Sequence, residues 1–102
     1  MKSIKNLTVS IICCENNEQV YPGSLKCSFS DINNTIHYIT DKGPVISDKN
    51  LNETSKYPQM GFVKCQIIET NSIYSVIDIS NPWSLEDENG ETIFKVSLDH
   101  IH

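Results

Sequence analysis

Ser24-Leu25-Lys26-Cys27-Ser28-Phe29-Ser30, Asp31-Ile32-Asn33-Asn34, Thr35-Ile36-His37-Tyr38-Ile39-Thr40: this run decides the fold class. Leu25, Cys27 and Phe29 alternate with Ser24, Lys26, Ser28 and Ser30, the period-2 pattern of a strand with one face in water. Asp31 to Asn34 carries turn chemistry, because Asp and Asn bond their own backbone and tolerate a left-handed conformation. Thr35 to Thr40 follows as the hairpin mate.

The same pattern extends both ways. Upstream, Leu7, Val9, Ile11 and Cys13 alternate with Thr8, Ser10, Ile12 and Cys14, and both faces are apolar or small, which predicts a central strand. Glu15 to Glu18 is a polar loop, and Val20-Tyr21 opens a segment that Pro22-Gly23 breaks. Downstream, Val45-Ile46-Ser47 reads as a brief extended piece. Asp48 to Thr54 reads as one or two helical turns capped by Ser47, or as a long loop. Gly61 to Glu69 predicts a strand with Val63, Cys65 and Ile67 inward, and Ile73 to Ile79 predicts its return. Asn81 to Leu98 reads as a closing hairpin. Asn89-Gly90 suits a type I′ turn, whose two central residues need positive φ, and Thr92, Phe94, Val96 and Leu98 share one face. Leu98 to His102 extends the last strand or frays. The expectation is an all-β chain: one domain over residues 1–102, a seven- to eight-stranded antiparallel sandwich or small barrel of hairpins, with at most one short helix.

The net charge is −5, and all eight basic residues are lysines scattered singly. Such a chain repels phosphate backbones and anionic lipid, which argues against nucleic-acid and membrane partners and favours basic proteins. No apolar run approaches the ~20 residues of a membrane span. Leu7 to Cys14, behind Lys2 and Lys5, reads as a first strand rather than a secretion signal, since no small-x-small site follows it. Cys13, Cys27 and Cys65 each fall in an alternating strand and read as buried free thiols, which points to a reducing, cytoplasmic setting.

No catalytic motif emerges, so the chain reads as a non-enzyme. His37 sits between Ile36 and Tyr38 and is expected to face solvent; a pairing of Cys27 with His37 has no third member. No cofactor or metal is expected. No Cys-x-x-Cys or His cluster supplies zinc-ligand spacing, and a calcium loop around Asp87-x-Asn89-Gly90 fails at Leu85 and Val96. What remains is binding. Glu86, Asp87, Glu88 and Glu91 crowd four negative charges beside Trp83, the only tryptophan. Such an acidic tip either guards a sheet edge or docks into a basic cleft, with Trp83 supplying buried area and Asp78 a further contact.

In size, acidity, free-thiol use and all-β patterning the whole chain resembles the small bacterial immunity proteins of contact-dependent growth inhibition and other polymorphic toxin systems. The resemblance lies in overall character and transfers no residues. It implies an inhibitor that neutralises a cognate basic toxin domain, often a nuclease. The alternative is a binding module for carbohydrate or another small ligand, with Trp83, Tyr38 and Tyr74 as stacking platforms.

Overall fold

A computed structural model describes residues 3–15, 24–47, 49, 51 and 54–102. Among them six strands form: β1 (Ser3–Glu15), β2 (Ser24–Ser30), β3 (Ile36–Lys42), β4 (Gln59–Thr70), β5 (Tyr74–Asp78) and β6 (Ile93–Ser97). One single-turn helix, α1 (Gly43–Ile46), carries Pro44 in its first turn, where the missing N–H costs nothing. The strands make one antiparallel sheet in the order β3-β2-β1-β4-β5-β6. The sheet curls into a half-barrel. No described helix is long and apolar enough to cross a membrane.

The hairpin read from Ser24 to Thr40 forms as expected: β2 and β3 pair in register from Ser24↔Lys42 to Ser30↔Ile36. The inner face of the curl is the alternating apolar set. Leu7, Val9 and Ile11 meet Leu25, Cys27 and Phe29, Val63 and Cys65, Ile77, and Phe94 and Val96, all buried. Burying each large aliphatic side chain contributes about 1.5–3 kcal/mol. Ile46 from α1, and Ile79 and Leu85 from the β5–β6 connection, plug the same core.

Curling brings the two ends of the sheet together. Phe29 of β2 meets Phe94 of β6 edge-on, with ring centroids 5.0 Å apart. The Ile32 amide donates to the Lys95 carbonyl at 2.8 Å, and the Glu88 amide to the Tyr38 carbonyl at 3.0 Å. The β5–β6 connection thus seals the seam between β3 and β6. At the other end of β6 a 3-10 turn, Leu98–His100, sends the chain back to β1. There Asn6 and His102 exchange backbone hydrogen bonds at 2.9 and 2.8 Å. The terminus neither prolongs β6 nor frays, because it completes the stretch of β1 that β2 does not reach.

Several expectations change. Six strands are found among the described residues rather than seven or eight, and they share one sheet. The segment at Val20-Tyr21 lies outside the described residues, as does much of the stretch 48–54, expected as a helical turn or a long loop. Val45-Ile46 is helical, not extended. A bulge in β1 between Ile11 and Cys13 shifts the register, so Cys13 is only half-buried while Cys14 packs on the core. Asn81 to Leu98 is not a hairpin: β6 pairs with β5, and the segment ahead of the turn forms no strand. At the turn only Gly90 has positive φ, 79°, so it is not type I′. Its Gly90 amide bonds the Asp87 carbonyl at 3.0 Å, a four-residue turn opening at Asp87.

Candidate functional site

Two turns of the same construction face each other across the seam. In the first, the Asp31 amide donates to the Thr35 carbonyl and the Asn34 amide to the Asp31 carbonyl, with Asn34 left-handed at φ 63°. Asp31 Oδ1 accepts from the amides of Asn33 and Thr35 at 2.8 and 3.0 Å. In the second, the Asp87 amide donates to the Glu91 carbonyl, and Asp87 Oδ1 accepts from the amides of Asn89 and Glu91 at 2.9 and 2.8 Å. The sequences Asp31-Ile32-Asn33-Asn34 and Asp87-Glu88-Asn89-Gly90 share Asp-x-Asn followed by a residue that tolerates positive φ.

In both turns one carboxylate oxygen holds the backbone and the other faces His37. His37 Nε2 lies 2.8 Å from Asp31 Oδ2, and Nδ1 lies 3.3 Å from Asp87 Oδ2. Phe29 and Phe94 wall the ring, with centroids 5.3 and 4.6 Å away. The His37 side chain is 11 % exposed and that of Asp87 is fully enclosed. Burial opposes the charge of Asp31, but hydrogen bonds from His37 and from the amides of Thr35 and Asn33 outweigh it. They hold its carboxyl below the ordinary 3.8. A hollow of about 280 Å³ opens beside His37, lined by Asp31, Glu91, Phe94 and Lys95.

This geometry corrects two expectations. His37 does not face solvent, because β3 turns it inward on the same face as Ile39 and the curl closes β6 over it. Asp87 is not part of an exposed acidic tip. It is buried and ties down its own turn, whereas Glu86, Glu88 and Glu91 are exposed. Asp78 is likewise occupied, its Oδ1 accepting from the Ser80 amide and hydroxyl at 2.9 and 2.6 Å.

Trp83 stands elsewhere, on the outside of the sheet. β4 pairs with β1 along Gln59–Ile67 but with β5 only from Gln66 onward, so among the described residues no strand pairs with the other edge of its first half, where α1 lies alongside. Along that edge Trp83, Phe62 and Met60 are 52, 43 and 68 % exposed. They line one hollow of about 250 Å³ together with Lys64 and α1 residues. Asp99 and His102 border Phe62 and Met60 on the far side. Met60 and Phe62 escaped the sequence reading; their alternation with Gly61, Val63 and Cys65 is the signal that places them outward.

Comparison with family profiles, curated proteins and solved structures finds no match.

The remaining sequence candidates disperse. Cys27 is buried opposite Ile39, and burial pushes its thiol up to about 12, against a bond with the Ile39 backbone. Such a thiol is a poor nucleophile at neutral pH, and both His37 nitrogens face carboxylates instead. Tyr38 lies under Lys26 Nζ and Tyr74 under Lys95 Nζ, at 5.0 and 5.2 Å. The hollow beside Trp83 includes neither tyrosine.

Proposed function

We propose that the chain is an immunity-type inhibitor that binds and neutralises a basic protein, a toxin domain such as a nuclease, from a cytoplasmic setting. The observation that carries this reading is the first half of β4, where exposed Trp83, Phe62 and Met60 line one hollow. A cluster of large apolar side chains left exposed on a small domain is the physical mark of a docking surface. Trp and Met are enriched in such surfaces, and a Trp anchor regularly dominates the binding energy.

Charge supplies the second half of the argument. With a net charge of −5, the chain attracts a basic partner from a distance, and exposed Glu86, Glu88 and Glu91 accelerate encounter more than they tighten the complex. Asp87 is excluded from this role by its burial. The carbohydrate alternative has less support, since the hollow beside Trp83 includes neither Tyr38 nor Tyr74.

The test searches for a large secreted protein encoded immediately upstream and measures binding of its basic domain to the folded chain. Trp83→Ala and Phe62→Ala weaken binding by about 30-fold or more, as expected for anchors worth at least ~2 kcal/mol. Glu86→Gln, Glu88→Gln and Glu91→Gln combined slow association and flatten its salt dependence. Unchanged affinity in both aromatic variants removes the β4 edge as the interface.

A further inference from the structure

We infer that His37, Asp87 and Glu91 form a binding site for a divalent transition-metal ion of the zinc type, with Asp31 orienting the histidine. The ligand atoms of the three residues already lie within 4.8 Å of one another. The site lies apart from the docking surface on β4 and shares only Glu91 with the acids that steer the partner.

Asp87 is the starting point. Its side chain is fully enclosed, Oδ1 is saturated by two amides, and among the described residues Oδ2 accepts no hydrogen bond although His37 Nδ1 is 3.3 Å away. A buried carboxylate oxygen in that state calls for a cation. The separation is informative. Two ligands bound at about 2.0–2.1 Å to one tetrahedral ion stand about 3.4 Å apart. The Nδ1 to Oδ2 distance of 3.3 Å therefore suits a shared ion better than a direct hydrogen bond, whose ordinary length is about 2.7–3.2 Å.

The other ring nitrogen agrees. Nε2 lies 2.8 Å from Asp31 Oδ2, a hydrogen bond that puts the proton on Nε2 and leaves the Nδ1 lone pair for the ion. A carboxylate behind a metal-bound histidine is the usual means of fixing tautomer and orientation. Glu91 is exposed and follows Gly90 in the same turn, so its side chain is free to swing onto the ion. The hollow bounded by Phe94 and Lys95 opens beside His37 and Glu91 and has room for a water or small ligand to complete the shell. An imidazole with two carboxylates suits zinc-like ions; calcium and magnesium prefer all-oxygen shells. Charge balance also favours it, since Asp31, Asp87 and Glu91 bring three negative charges to one histidine.

The experiment titrates zinc chloride, and separately cobalt chloride, into the full chain at neutral pH, read by calorimetry and by visible cobalt absorption. Expected is one ion per chain in the wild type and in His100→Gln/His102→Gln, which removes the terminal histidines as competitors. His37→Gln abolishes binding, and Glu91→Gln and Asp31→Asn weaken it at least about tenfold. Glu91→Gln alters an exposed side chain, so it keeps the test valid if the buried variants unfold. The inference is overturned if the wild type binds no ion, which would leave a proton alone between His37 and Asp87. It is also overturned if Glu91→Gln binds as tightly as wild type, or if cobalt gives thiolate absorption from Cys13 or Cys14.

Discussion

Replacing Asp87 with alanine separates a structural carboxylate from its exposed neighbours. Asp87 is itself buried, and its Oδ1 accepts the backbone amides of the exposed Asn89 and Glu91 at 2.9 and 2.8 Å. A hydrogen bond to a charged group contributes about 1.5–3 kcal/mol. Removing the carboxylate also relieves its own desolvation cost, so the lower end applies and Asp87→Ala costs about 3 kcal/mol. Asp87→Asn retains an acceptor oxygen and costs roughly half of that. Glu88→Ala, one residue along and exposed, stays within about 0.5 kcal/mol of wild type. For a domain of this size each kcal/mol moves Tm by about 4–8 °C, so Asp87→Ala lowers it by ~12–24 °C. Thermal unfolding and urea titration followed by far-ultraviolet circular dichroism measure all three. If Asp87→Ala unfolds within about 0.5 kcal/mol of Glu88→Ala, Asp87 does not hold its turn and belongs with the solvated acids after all.

Two further outcomes follow from the core and the seam. Gly61 faces the core, and a Cβ there would stand 2.7 Å from both Ile11 Cδ1 and the Ile46 carbonyl oxygen. The carbonyl belongs to backbone and yields little, so Gly61→Ala destabilises by about 1–3 kcal/mol in urea unfolding; an unchanged midpoint would mean α1 is not seated on β4. Asp31 titrates below its ordinary 3.8 in the folded chain. Its stabilising contribution is therefore complete above that ordinary value and lost as pH falls through the lower folded one. Asp31→Asn removes this part of the acid-limb slope of stability against pH, and an identical slope in the variant would refute the assignment.

The hairpin from Ser24 to Thr40 was legible because its alternation and turn chemistry are local. Residues on one strand fix which side faces the core, and Asp31 to Asn34 fix the reversal. The closing segment misled for the same local reason. Asn89-Gly90 signals a turn, and a turn forms, but nothing nearby in sequence says that Leu85 will dive into the core and that β6 will take β5 as its partner. The resulting turn opens at Asp87 and needs positive φ only at Gly90.

The acidic cluster shows the limit more sharply. Four carboxylates in six residues read as one exposed feature, yet three are exposed and one is buried. Charge patterning along a chain cannot tell which member of a cluster a tight turn will rotate inward. Asp-x-Asn followed by Asn or Gly occurs at residues 31 and 87, whereas Asp48-Lys49-Asn50 runs into Leu51, and that recurrence is a signal the sequence carries. It marks two turns of one type, though not that they will meet.

By itself, then, the sequence determined the β class, the inward and outward faces of the central strands, the positions of the turns and the acidity of the surface, because each depends on neighbours a few residues apart. Only the tertiary structure decided that the sheet curls, that its first and last strands close over His37, and that Asp31 and Asp87 reach the two nitrogens of one ring. Those contacts join residues from opposite ends of the strand order. The curl that creates them comes from strand twist and core packing summed over the whole sheet, a sum no single segment carries.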